Sequence, residues 1–385
     1  MSILGNQKLI EQRTAALQTK IQTNLATQGV TDTKGKTLNQ LAGSILDIKA
    51  GGLVSPKDVN FYDYDGTLLH SWSLAEAQAA TTLPDGPVHD RLIFQEWNWS
   101  LSDINALIMP ADVGATYTTA SGASEFDITL TVVTGLDVTL RTTNISGALT
   151  VDWGDGEVTT SDAVGLNSWA HSYTETGNYI ISVDSTGTYF LSGTSSSPYN
   201  IFQVSPSYIC TAARLGDRCT TIANYMFRTC RGLKTITVPS SITDIGSYPF
   251  YECYGLTGVV LPSSLRSLLN VNYLCYSLYA AKKIVLPNTI TSMPLAALRY
   301  AYNLTSITVP SGITSIATYV FADCHNVVEY MFHGSTPPTL SNINAFSNIN
   351  ALCKIKVPRG SLGAYQTATN WATYADYMVE WEADT

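Results

Sequence analysis

A hydrophobic-Pro pair recurs through the second half of this 385-residue chain at nearly constant spacing. Val238-Pro239, Leu261-Pro262, Leu286-Pro287 and Val309-Pro310 follow one another at 23, 25 and 23 residues, and Val357-Pro358 comes 48 later, room for two units. Units this short cannot bury an apolar edge alone and must stack on one another. Counting back from each Pro gives one register. Twelve before stand Phe227, Phe250, Cys275, Leu298 and Phe346; nine before stand Cys230, Cys253, Leu278, Ala301 and Ile349; six before stand Leu233, Leu256, Ala281, Leu304 and Leu352. Three and one before stand pairs such as Ile236/Val238, Ile284/Leu286 and Ile355/Val357. The skipped unit fits with Phe321, Cys324, Val327, Tyr330 and Phe332, and a degenerate first unit with Cys210, Ala213, Leu215, Cys219 and Ile222. Spacing of three predicts a tight coil with one inward face, and the switch to two predicts a short strand.

The register places six of the seven cysteines inward, as small buried apolar residues, and leaves only Cys353 off the pattern. No disulfide framework, C-x-x-C pair or His-x-His pair is present, so neither a bridge nor a metal site is expected. One residue after the Cys-like site come Arg231, Tyr254, Tyr279, Tyr302, His325 and Asn350. One after the Phe-like site come Arg228, Tyr251, Tyr276, Arg299 and Ala322. Both positions lie between inward residues and are expected to face outward. Equal register then makes them ladders, with Tyr offering area and a polar tip for glycan or protein recognition. Arg228, Arg231, Tyr251, Tyr254, Tyr276, Tyr279, Arg299 and Tyr302 are the candidate binding residues. Tyr225, Tyr248, Tyr273 and Tyr319, two before the Phe-like site, read as structural.

Over residues 205–358 this pattern resembles the BspA-like leucine-rich repeats, which implies a solenoid over 201–385 in which Gly360–Trp381 forms a helical C-terminal cap. Upstream, Val151-Asp152-Trp153-Gly154-Asp155-Gly156, followed by His171-Ser172-Tyr173 and Gly177–Val183, resembles the PKD domain. That resemblance implies an Ig-like β-sandwich over 121–192, although the usual Asp-Phe pair of the motif is lacking. Trp153 would face the core; Asp152 and Asp155 would serve the turn, with Ca²⁺ ligation the alternative. Residues 57–120 alternate strand and helix signals, with Ser100 and Asp103 placed to cap a short helix. This stretch resembles the β-grasp repeats of bacterial surface proteins, of the internalin B-repeat kind, through its strand–DYDGT–strand opening and its FQEWNW strand. Asp63-x-Asp65-Gly66-Thr67 also matches the nucleophile motif of the haloacid dehalogenase superfamily. That fold needs a longer doubly wound sheet and further acidic residues, so the five residues read as a hairpin turn.

Residues 1–52 read as two amphipathic helices, carrying Ile10, Leu17, Ile21 and Leu25, then Leu38, Leu41, Ile45 and Ile48. They are too polar to form a core alone and are expected to dock on a partner or on copies of themselves. The fold class is therefore multidomain and mainly β: N-terminal helices, a β-grasp-like module, a PKD-like Ig sandwich and a leucine-rich-repeat solenoid with its cap.

Charged residues make up 13% of the chain, about half the usual ~25%. A net charge of −9 argues against nucleic-acid binding, and no apolar run is long enough to span a membrane. No catalytic constellation, phosphate loop or cofactor motif is found. Extracellular-type modules without an export signal look like a non-enzymatic phage virion protein, a tail-fibre or baseplate appendage. Its N-terminus would bind other virion proteins, as a homo-oligomer, and its repeats a host surface glycan or protein. The alternatives are a bacterial cell-surface adhesin or an accessory carbohydrate-binding module.

Overall fold

The computed structural model describes residues 57–89, 92–107, 109–119, 126–132, 136–191, 193, 200–202, 208–265, 267–268 and 271–381. The expected helices of residues 1–52, with all eight of their apolar positions, lie outside these residues.

The described residues open on a four-stranded sheet. Strands β1 (Val59–Tyr62), β2 (Leu68–Trp72), β3 (Leu92–Trp97) and β4 (Ala111–Thr119) lie in the order β2-β1-β4-β3, with β1 and β4 parallel. The β1–β2 connection is the expected turn: Asp63 N–H donates to the Thr67 carbonyl at 2.8 Å, and Gly66 takes φ +86°. Two short helices cover one side, α1 (Leu74–Ala79) and α2 (Leu101–Asn105). Each opens on a capping box, Ser73 with Glu76 and Ser100 with Asp103, so the first-turn N–H groups are satisfied locally. Phe61, Trp97, Val113 and Tyr117 fill the core between.

Two further sheets follow. One has the order β11-β6-β9, formed by β6 (Asp137–Asn144), β9 (Gly165–Ser172) and β11 (Tyr189–Leu191). The other contains β5 (Phe126–Val132), β7 (Leu149–Asp152), β8 (Val158–Ser161) and β10 (Gly177–Ser185). Strict alternation along β6 buries Val138, Leu140, Thr142 and Asn144. Trp153 is fully buried, and His171 stacks on it at 4.7 Å with the rings 10° apart. His171 Nε2 lies 2.7 Å from Asp155 Oδ2, and Tyr173 Oη donates to the Trp153 carbonyl. Partial burial pushes the Asp155 carboxyl up, but the Glu157 N–H and His171 outweigh it and hold the group below its ordinary value. Asp152 accepts from Gly154 N–H, so both Asp side chains serve the turn.

The second sheet does not stop there. Strand β5 pairs antiparallel with β12 (Cys210–Leu215), and β12 pairs parallel with Thr235–Thr237, giving the order Thr235–Thr237, β12, β5, β10, β7, β8. From this point the repeat turns stack. Parallel pairs join Gly258–Val260 to Lys283–Val285, and Ser306–Val309 to Glu329–Phe332, Lys354–Val357 and Met378–Glu380. A second line of two-residue strands includes Asp244–Ile245, Ser315–Ile316 and Thr339–Leu340.

Burial follows the register through the degenerate unit, the four regular units and the skipped unit. All seven cysteines are free and buried, including Cys353, which was expected off the pattern. The last unit keeps Phe346, Ile355 and Val357 inward but shifts by one residue at a single position. Leu352, expected inward, is 79% exposed, and Cys353 takes its place at 1%. The Asn350 side chain accepts the Leu352 N–H, and the i→i−3 bond closes instead from Cys353 to Asn350. The tail forms a helix α3 (Leu362–Thr367) and a 3-10 helix (Trp371–Tyr377), and then adds a closing strand, Met378–Glu380, to the sheet. Trp371 is fully buried there and donates to the Pro338 carbonyl.

Candidate recognition surface

Each repeat turn has a strand side and a coil side. On the strand side, alternate residues point away from the core, and the four-stranded sheet covers those between Gly258 and Val285 together with Met331, while Glu329, Lys354 and Lys356 stay part-exposed or exposed. Gly258, Val260, Lys283, Val285 and Met331 are all buried. Asn98 Nδ2 donates to the Leu261 carbonyl at 2.9 Å, and Trp99 Nε1 to the Leu286 carbonyl at 3.3 Å. Lys283 Nζ sits 2.5 Å from Asp112 Oδ2, with both residues under 10% exposed, and 4.9 Å from the Tyr62 ring centre. Thr308 Oγ1 donates to the same carboxylate at 2.6 Å. Burial and the Asp112 charge drive the Tyr62 pKa far up. His333 donates to the Pro110 carbonyl, and burial pushes its pKa down to about 4.

The coil side is open. Its geometry starts with the backbone. Tyr225, Tyr248, Tyr273 and Tyr319 take φ of 56–62°, and Thr229, Glu252, Ser277, Tyr300 and Asp323 take φ of 57–63°. A left-handed residue costs roughly 1–2 kcal/mol. Turn-to-turn hydrogen bonds offset that cost: Tyr225 N–H donates to Ser247, Tyr248 to Asn272, Thr229 to Tyr251, and Glu252 to Tyr276. These bonds hold successive turns in register and align their side chains.

The side chains therefore form rows along the stack. Arg231 lies 4.6 Å over the Tyr254 ring. Tyr254 and Tyr279 stack at 4.5 Å, Tyr279 and Tyr302 at 4.8 Å, and Tyr302 and His325 at 5.7 Å, all within 18° of parallel. In the second row Arg228 lies 4.9 Å over Tyr251, which stacks on Tyr276 at 4.7 Å. Arg299 closes on Tyr300 and Tyr319 instead of continuing that row. Ala322, expected outward, is fully buried. The third row, Tyr225–Tyr248–Tyr273, stacks at 5.2 and 4.7 Å, with Arg228 over its first two rings. Arg231 pairs with Glu252 at 2.5 Å and Arg299 with Asp323 at 2.9 Å, so two of the three Arg charges on this face are matched by a carboxylate.

All eight candidate binding residues are half-buried; Arg231, Tyr254, Tyr279 and Tyr302 touch in one row and Arg228, Tyr251 and Tyr276 in another, with Arg299 drawn to Tyr300 and Tyr319. Sequence register predicted the rows but did not reveal that the rings cover one another's faces. It also missed the covered strand side, whose signal was the outward apolar row Val260, Val285 and Met331. Among the described residues, no group of His, Cys, Asp and Glu is arranged to hold a metal, and no helix is long and apolar enough to cross a membrane.

Residues 199–328 and 270–368 match the family model of the BspA type leucine rich repeat region, in six copies, so this part of the chain is a BspA-type leucine-rich repeat domain. Similar solved structures include a leucine-rich repeat protein of T. pallidum, 28% identical over 31% of this chain and 54% of that one, TM-score 0.29. Another is a leucine-rich repeat protein from Bacteroides ovatus, 21% identical over 39% and 43%, TM-score 0.31. A third is a leucine rich cell surface protein from Faecalibacterium prausnitzii, 19% identical over 41% and 63%, TM-score 0.25. The chain spans about half the length of these structures. No curated protein matches it.

Proposed function

We propose that this is a non-enzymatic adhesion or recognition protein of a microbial surface, and that the Tyr rows are its contact face. One observation carries the reading: the strand side from Gly258 to Val285 is covered by the chain itself, whereas the coil side exposes aligned Tyr, Arg and His side chains. Tyr and Arg are the residue types that dominate recognition surfaces. A BspA-type repeat fits a bacterial cell surface. The finer reading of residues 57–119 as β-grasp-like and 126–191 as PKD-like belongs to the same proposal. It is supported by the mixed sheet and by the bond between Asp155 of the first motif and His171 of the second.

The second reading is a phage tail appendage. It is favoured by the amphipathic pattern of Ile10, Leu17, Ile21 and Leu25, which requires a docking partner. The test is binding of the labelled full chain to intact cells. Replacing Tyr254, Tyr279 and Tyr302 together by Ala is expected to lower binding at least about tenfold, a loss of ~1.4 kcal/mol or more. Unchanged binding by a folded triple variant sinks the reading. Deleting residues 1–50 separates the carriers: released phage particles lacking the protein favour the virion.

A further inference from the structure

The rows differ from an ordinary aromatic binding platform in what they expose. A platform offers a ring face, on which a sugar or a cation lies flat. Here Tyr279 has Tyr254 on one face and Tyr302 on the other. Tyr254 is closed by Arg231 and Tyr279, and Tyr248 by Tyr225 and Tyr273. Spacings of 4.5–4.8 Å leave no room to insert a side chain between rungs. A protein partner that anchors by wedging a bulky side chain into an apolar slot finds none within the row. What remains to solvent is the ring edge with its hydroxyl.

The hydroxyls form a series. Those of Tyr251 and Tyr254 turn toward Glu252. No hydrogen bond to a described residue engages the hydroxyls of Tyr276, Tyr279 and Tyr302. Burial and the neighbouring Tyr251 push Tyr276 up to about 12, so the phenol stays a neutral donor and acceptor over the physiological range. The flanking Arg231 and Arg299 are already ion-paired. Along Tyr279 and Tyr302, in the row that does not include the Arg228 cation, the surface is therefore a line of uncharged hydrogen-bonding groups that repeats once per turn, on the scale of a single sugar ring.

We propose that the Tyr rows bind an extended polysaccharide edge-on, one sugar per rung, through hydrogen bonds to the phenol hydroxyls and without stacking on the ring faces. This rests on the recognition reading above and names its ligand class. A neutral, regularly hydroxylated chain matches the row in period, in charge and in its mix of donors and acceptors. Affinity then grows with chain length until the ligand spans the row.

The test titrates the full chain against an array of purified plant and bacterial polysaccharides, then against linear oligosaccharides of increasing length drawn from any polysaccharide bound. Tyr279→Phe and Tyr302→Phe keep the stack and remove only the hydroxyl. Each is expected to weaken binding by roughly two- to tenfold, the worth of one hydrogen bond, with unchanged thermal unfolding. Polysaccharide binding that both Phe variants retain in full overturns the edge-on mode. If no polysaccharide binds while cells are still bound in a manner that the triple Ala variant abolishes, the partner is a protein; the recognition reading then stands and this inference falls. If neither polysaccharide nor cell is bound, both fall together.

Discussion

The strand side and the coil side are built from the same turns, yet they solve the problem of an outward residue in opposite ways. On the strand side the neighbours come from a remote segment. The four-stranded sheet buries Val260, Val285 and Met331 and supplies Asp112 for the buried Lys283 ammonium. On the coil side the neighbours come from the next turn, because each Tyr stacks on its equivalent along the row. A remote cover can bury a charge and seal a face. A row of self-neighbours removes only the ring faces from water and leaves the edges open. The pattern that marks a residue as outward therefore does not mark it as exposed.

The comparison is most easily broken at Asp112. Asp112→Ala leaves the Lys283 charge buried and unpaired, and it is expected to cost about 3–5 kcal/mol in urea unfolding. Replacing both partners, Asp112→Leu with Lys283→Met, should restore most of that loss. A cost no larger than that of a surface substitution would show that the strand side is not sealed. Acid tests the same seal through His333, whose folded pKa of about 4 lies below its ordinary 6.5. Between those values the unfolded chain binds a proton that the native chain does not. Stability is thus full above pH 6.5 and declines by up to about 3 kcal/mol as pH falls to 4, then levels off for this group. His333→Gln should flatten that part of the pH profile; an unchanged slope would assign it to other groups. The smallest effect is expected on the coil side. Tyr279→Ala loses two stacked contacts on a half-exposed ring, worth about 1–2 kcal/mol in all. A loss as large as that of Asp112→Ala would make the row a brace and erase the distinction between the sides.

The inward register was legible from spacing alone because the period fixes which residues meet along the stack. Phe227, Cys230, Leu233 and Ile236, and their equivalents in the next three units, all reach the core. The register failed where a local bond competed with it. Asn350 captures the Leu352 N–H, so Cys353 rather than Leu352 turns inward. Ala322, whose row equivalents are Arg228, Tyr251, Tyr276 and Arg299, carries only a methyl and is fully buried. The rows themselves were legible as ladders, but ring orientation is a property of side-chain packing and has no trace in spacing. The cover over the strand side was beyond reach for a similar reason. An apolar outward row announces a partner, and nothing in Val260, Val285 or Met331 says which of the other segments supplies it.

The covered strand side also fixes an order of assembly. Within the repeats each turn bonds to the next, so pairing is local and proceeds as the chain leaves the ribosome. The bonds that dock the first sheet reach across 163, 187 and 223 positions. The docking sheet is synthesised first, but its landing surface is finished only when Trp381, which packs with Met109 and Met331, has emerged. Throughout that interval Trp99 on one piece and Val260, Val285 and Met331 on the other face water, and each nascent chain carries two apolar surfaces meant for each other. Neighbouring chains on one message hold the same two surfaces within reach, so crowded translation favours exchange of the first sheet between molecules, and slower synthesis favours closure within one.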